Sequence, residues 1–114
     1  MLDIDMEFKQ GILFVRLKGI LNGDTCIKFE KDLIELISNN GIKYLLLNLN
    51  NIKYIDRYGL KSIYKNYELI AHNNGKMIIC GINKLFDYEK NIIGRLYQVK
   101  DEESVYGVVN IWKM

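Results

Sequence analysis

Asp56-Arg57-Tyr58-Gly59 are the residues whose types and spacing could carry chemistry. They follow the apolar run Leu45-Leu46-Leu47-Asn48-Leu49 and precede a helical pattern, so they read as a turn from a buried strand into a helix start. In α/β sheets the carboxyl ends of strands are where function collects. A serine in this turn would present its hydroxyl at a helix N-terminus. Phosphorylating it would add roughly −1.5 to −2 charges to a surface otherwise able to dock a partner. The same four residues also suit a helix cap with no further role, because the Asp56 carboxylate can accept a free first-turn N–H.

No other group of residues assembles into a reactive set. The single histidine, His72, falls near a helix end on the polar side, where a solvated imidazole is favoured. No His, Cys and acid cluster has metal-ligand spacing. Neither a GxxxxGK[ST] nor a GxGxxG loop occurs, so no phosphate cradle and no cofactor is expected. Asp3/Asp5 and Glu102/Glu103 sit where an exposed strand face and a helix start call for acids. Tyr64 and Tyr67 fall on the apolar side of their helix, with hydroxyls expected at the rim. Lys61 and Lys65 lie one turn apart on the outer side and read first as a solvated face.

Those residues must be positioned by a chain of 114 residues, enough for one domain, 1–114, with a real core. Hydrophobic content of 49% and charged content of 26% are those of a globular protein. A formal charge of +2 gives no footing for nucleic acid or an anionic membrane. Cys26 and Cys80 lack a CxxC partner and read as reduced and buried. Acidic residues break the first turn of any leader, and no apolar run reaches membrane length. A soluble, cytoplasmic protein is expected.

The periodicities predict the elements. Leu2 to Phe8 alternates apolar and acidic residues, a strand with one wet face. Lys9-Gln10-Gly11 turns it into a second strand, Ile12 to Lys18, ended by Gly19. Asp24 or Thr25 caps a helix with Phe29, Leu33, Leu36 and Ile37 on its apolar side, closed by Asn39-Asn40-Gly41. Tyr44 to Leu49 is a strand buried on both faces. The helix after Asp56 lines up Leu60, Ile63, Tyr64, Tyr67 and Ala71, and Asn73-Asn74-Gly75 ends it. Met77 to Cys80 is a strand, Asn83 or Asp87 starts a short helix through Ile93, and Leu96 to Val99 is a last strand. Asp101, Glu102 and Glu103 open a final helix whose dipole favours them, with Val105, Val108, Val109 and Trp112 as its apolar side. This order predicts an α/β fold: a mixed, mostly parallel sheet covered by helices, with an opening hairpin followed by βα units.

The chain resembles the STAS domain, named for sulfate transporters and anti-sigma factor antagonists. The likeness runs from about Ile12 to Trp112. It rests on Gly19-Ile20-Leu21-Asn22, on Leu47-Asn48-Leu49 followed by Ile55-Asp56-Arg57-Tyr58-Gly59-Leu60, and on Gly75-Lys76-Met77-Ile78-Ile79-Cys80-Gly81. The corresponding family patterns are Gly-x-Leu-Asp, Leu-Asp-Leu, Ile-Asp-Ser-Ser-Gly-Leu and Gly-(Gly/Lys)-x-Leu-x-Leu-x-Gly. The resemblance implies a non-catalytic protein that binds a kinase-like anti-sigma factor and thereby frees a sigma factor. In the family that kinase phosphorylates the second serine of Asp-Ser-Ser-Gly. Here Arg57 and Tyr58 occupy both serine positions, and Asn22 and Asn48 replace aspartates.

Tyr58 is thus a degenerate phosphosite. Its hydroxyl stands several ångströms further from the backbone than a serine hydroxyl, and its ring would clash with a serine-shaped pocket. Tyrosine and arginine are favoured interface anchors. The residues expected to bind the partner are Asn22, Asp24, Thr25, Asp56, Arg57, Tyr58, Gly59 and Lys61. Ser62 is a conceivable substitute phosphoacceptor. The alternatives are a scaffold or homo-oligomer of a signalling assembly, and a small-ligand module; an enzyme is the least supported reading.

Overall fold

The computed structural model describes residues 1–81 and 96–114. The short helix expected from Asn83 or Asp87 to Ile93 lies outside them. Within them the chain runs β1 (Leu2–Lys9), β2 (Ile12–Leu21), α1 (Cys26–Asn40), β3 (Tyr44–Ile55), α2 (Arg57–His72), β4 (Lys76–Cys80), β5 (Tyr97–Gln98) and α3 (Ser104–Lys113). The strands stand in the order β1-β2-β3-β4-β5. β1 pairs antiparallel with β2, and the remaining neighbours are parallel. The mixed, mostly parallel sheet expected from the sequence is the sheet observed.

Side-chain alternation sends the strands' residues to two cores. Leu13, Val15 and Leu17 of β2, with Leu45, Leu47 and Leu49 of β3, pack against Phe29, Leu33 and Ile37 of α1 and Leu60, Ile63 and Ile70 of α2. Ile12 and Phe14, with Leu46, Ile78 and Cys80, pack under Val105 and Val109 of α3. Covering both faces is what makes the middle of β3 read as an unbroken apolar run.

Several boundaries move. β2 does not stop at Gly19 but continues to Leu21, because the register shifts there and Gly19 takes φ 110, a bulge conformation open to glycine. β3 runs six residues past Leu49, its tail pairing with the end of β2. The last strand shrinks to two residues. Gly41 takes the left-handed turn after α1, as expected, but after α2 that residue is Asn74 (φ 61) rather than the glycine. Ala71 is exposed; Ser62 and Asn66 take buried places on α2 instead. Cys80 is buried, whereas Cys26 is only half-buried, and both thiols are free.

Candidate functional site

Two segments meet at one end of the sheet. β2 runs out into Asn22–Thr25, and β3 runs out into Asp56. A hydrogen bond from Asp56 N–H to Leu21 O, 3.2 Å, holds the strand ends side by side. Asp56 has an extended backbone and caps α2: its Oδ1 accepts from Gly59 N–H at 2.9 Å. Its Oδ2 accepts from Gly23 N–H at 3.2 Å. One carboxylate therefore closes the helix and pins the neighbouring loop to it.

The loop carries its own fastening. Asn22 Oδ1 accepts from the N–H groups of Asp24 and Thr25, both at 3.0 Å. Thr25 Oγ1 accepts from Asn22 N–H at 2.9 Å and donates to Ile20 O at 2.8 Å. The cap expected from the Asp24 or Thr25 side chain is not made: Thr25 precedes α1 without a side-chain cap bond, and the first helical N–H, of Cys26, goes to the backbone oxygen of Asn22 at 2.8 Å. Gly59 is held tightly: a Cβ there would overlap Leu21 O and come within 2.9 Å of Ile55 Cγ1. Only glycine lets α2 start this close to β2.

Arg57 and Tyr58 point outward from this corner. Tyr58 is 49% exposed and lies over Gly23, whose added Cβ would sit 3.5 Å from the ring. The Arg57 guanidinium is 5.2 Å from the centre of that ring, and Nη2 donates to the Tyr58 hydroxyl at 3.4 Å. That hydroxyl holds the Arg57 pKa above its ordinary value. Asp24 and Lys61 are exposed. The structure thus brings together Asn22, Thr25, Asp56, Arg57, Tyr58 and Gly59, with Asp24 on the same loop and Lys61 one turn along α2. Sequence reasoning missed Gly23, whose amide and bare Cα receive Asp56 and Tyr58. Cys26 Sγ donates to Gly23 O at 3.4 Å, and burial pushes its thiol pKa up.

A second polar cluster, unannounced by the sequence, lies on the α3 face. Arg16 Nε and Nη2 donate to Glu102 at 2.7 and 2.9 Å, Nη1 to Asp5 at 2.8 Å, and Nη2 to Glu7 at 2.9 Å. Asn48 Nδ2 donates to Glu102 at 2.8 Å. Arg16 holds the Glu102 carboxyl below its usual range despite partial burial, with help from Asn48. Glu102 therefore clasps the strands rather than serving the helix dipole as expected. Glu103, at the cap position of α3, makes no side-chain cap bond; Asp101 Oδ1 accepts from Ser104 N–H at 2.9 Å instead. Burial, then Glu102, pushes the Cys80 thiol up to about 11. Among the described residues no set of three His, Cys, Asp or Glu side chains could hold a metal ion, and no helix is long and apolar enough to cross a membrane.

The sequence profile of the STAS domain matches residues 3–86. The chain belongs to the STAS family. The Anti-sigma F factor antagonist of Paenibacillus polymyxa is 34% identical to it over 82 residues, which are 72% of this chain and 70% of that one. Two solved structures share the fold at low identity. The anti-sigma factor antagonist from Mycobacterium paratuberculosis superposes with a TM-score of 0.83 at 14% identity, covering 96% of this chain and 95% of that one. The antagonist SpoIIAA in its unphosphorylated form gives 0.77 at 12% identity, covering 98% and 100%. This STAS domain carries Arg57 and Tyr58 as the first two residues of α2, directly after the Asp56 cap.

Proposed function

We propose that this STAS domain is an anti-sigma factor antagonist that works in the cytoplasm by binding, without catalysis. Its partner is a kinase-like anti-sigma factor, and the contact is the corner of Asn22–Thr25 and Asp56–Gly59 with Lys61 beside it. One observation carries the reading. Asp56 locks helix start and loop together while leaving Arg57 and Tyr58 on the surface. A preorganised Arg–Tyr pair is an interface anchor, and rigidity lowers the cost of ordering it on binding.

The serine switch is absent from this corner. A serine kinase has no acceptor at position 58, and the phenolic oxygen of Tyr58 stands beyond the reach of a site shaped for serine. Ser62 does not replace it, because its side chain is fully buried on α2. Binding is then set by partner concentration rather than by phosphorylation of this turn.

A pull-down from the native organism tests the reading. The unaltered chain recovers an anti-sigma factor, and Tyr58→Asp loses it, because the new carboxylate puts negative charge where the pair now presents Arg57 and a ring. Incubation with the recovered kinase and ATP leaves the chain unmodified, whereas Tyr58→Ser restores an acceptor. A phosphate on Tyr58, or recovery of the partner by Tyr58→Asp equal to that by the unaltered chain, contradicts the proposal.

A further inference from the structure

β1 is the outermost strand, and among the described residues only β2 pairs with it. Its hairpin turn holds two residues, Gln10 (φ 55) and Gly11 (φ 81). A two-residue loop makes the flanking pair, Lys9 and Ile12, the doubly hydrogen-bonded one, and bonding alternates from there. Leu2, Ile4, Met6 and Phe8 therefore direct their N–H and C=O groups away from the sheet. The bond from Ile20 N–H to Met1 O, 3.0 Å, keeps the same phase at the far end. The pairing with β2 is unbroken along the strand, and no proline interrupts it. An edge of this kind is a template for another strand.

The side chains along the edge say which strand. On the α1 side, Met6 borders a groove of about 440 Å³ floored by Leu36 and rimmed by Asp32 and Glu35. A second groove of about 350 Å³ adjoins it at Leu36 and runs to Phe8, which is 61% exposed. Both charged residues lining these grooves are acids. The opposite side of β1 presents Asp3, Asp5 and Glu7, with Lys9 after them at the hairpin end, drawn over the Phe14 ring. Lys18 stands across from Asp3 on β2, but Asp5 and Glu7 share a single guanidinium, Arg16, with Glu102.

A second copy of this chain is a poor occupant. Antiparallel pairing centred on Asp5 sets Asp5 against Asp5 and Asp3 against Glu7, and parallel in-register pairing sets each acid against itself. Like charges directly opposite one another are destabilising. A strand with apolar residues toward Met6, Leu36 and Phe8, and bases toward the acids, satisfies both faces. We propose that the free edge of β1 accepts an extended segment of a partner protein in which apolar residues alternate with lysine or arginine. This site is separate from the Arg57–Tyr58 corner and does not depend on it.

The test uses the isotope-labelled full chain and two synthetic peptides of equal length, one alternating lysine and valine, the other glutamate and valine. The lysine peptide shifts the amide signals of Leu2, Ile4, Met6 and Phe8 and slows their hydrogen exchange. The glutamate peptide binds about tenfold more weakly or less, the scale expected from reversing several cross-strand charge pairs. Met6→Pro removes one outward N–H without touching the bonds to β2, and weakens the lysine peptide. Should that variant not fold, Asp3→Lys and Glu35→Lys weaken the same binding from the surface. Equal binding of both peptides, undisturbed amides on β1, or a homodimer protecting those amides overturns the proposal.

Discussion

At the start of α2, Asp56 commits both carboxylate oxygens to backbone amides, and the two side chains after it stand in solvent. At the centre of β2, Arg16 commits all three of its guanidinium nitrogens to carboxylates of β1 and of the segment before α3. Both regions are polar, and both join segments distant in sequence. The first holds its charged and aromatic tips out of the fold; the second consumes its charges within it. A polar cluster whose members satisfy one another is structural cement. A cluster whose fastening is backbone-directed and whose charged and aromatic tips stay open is a surface prepared for something else.

The two asparagines that depart from the family's aspartates divide along the same line. Asn22 uses only its carbonyl oxygen, as an acceptor for two amides, a role that aspartate also performs. Asn48 uses both ends: Oδ1 accepts from Asn50 N–H at 2.9 Å while Nδ2 donates to Glu102. An aspartate at position 48 would face the Glu102 carboxylate with like charge, so asparagine there belongs with the Arg16–Glu102 clasp.

The contrast can be broken most severely at Gly59. Gly59→Ala pushes a methyl group into Leu21 O and Ile55 and should cost about 2–3 kcal/mol in urea unfolding, the scale of overpacking a tight contact. A neutral result would mean that α2 does not start against the end of β2. The clasp comes next. Glu102→Gln keeps the shape and removes the charge, at a cost of about 1–2 kcal/mol near neutral pH. The native carboxyl of Glu102 is held below its ordinary range, so the unfolded chain takes up its proton first on acidification. Its contribution is present in full above the ordinary glutamate range and is lost as pH falls through the folded pKa. The stability gap between the two proteins should therefore shrink below about pH 4. A gap that does not change with pH would remove Glu102 from the cluster. The smallest effect belongs to the cap: Asp56→Ala should cost about 1 kcal/mol in the same unfolding measurement, with a larger loss in partner binding as Gly23 is released.

The fold was legible because its periodicities are local. Phe29, Leu33 and Ile37 repeat at helical spacing and are buried together on α1. Leu45 to Leu47 form a run that only a doubly covered strand explains. The end of β3 was not legible: Asn50 and Asn51 look like loop residues, and what keeps the tail in the strand is pairing with the bulged end of β2, from Asn51 with Lys18 to Ile55 with Leu21. Asp56 was readable as a cap from its place before the helical pattern, but the close approach that requires Gly59 was not, because Leu21 and Ile55 meet it only in the fold. Gly23 was not, since nothing near it in sequence announces that Tyr58 will lie over it. Arg16 and Glu102 stand 86 residues apart, and neither neighbourhood carries a pattern pointing to the other. Sequence shows what a segment does by itself; these contacts exist only after the sheet has placed the segments.

The central claim is that the Arg57–Tyr58 corner docks a kinase-like anti-sigma factor. Calorimetric titration of that partner into the unaltered chain and into Tyr58→Ala tests it most directly. The account predicts affinity lower by about thirtyfold or more, the scale of an anchor residue, with an unchanged urea midpoint because the half-exposed ring supports little of the fold. Equal affinity of the two proteins would contradict it.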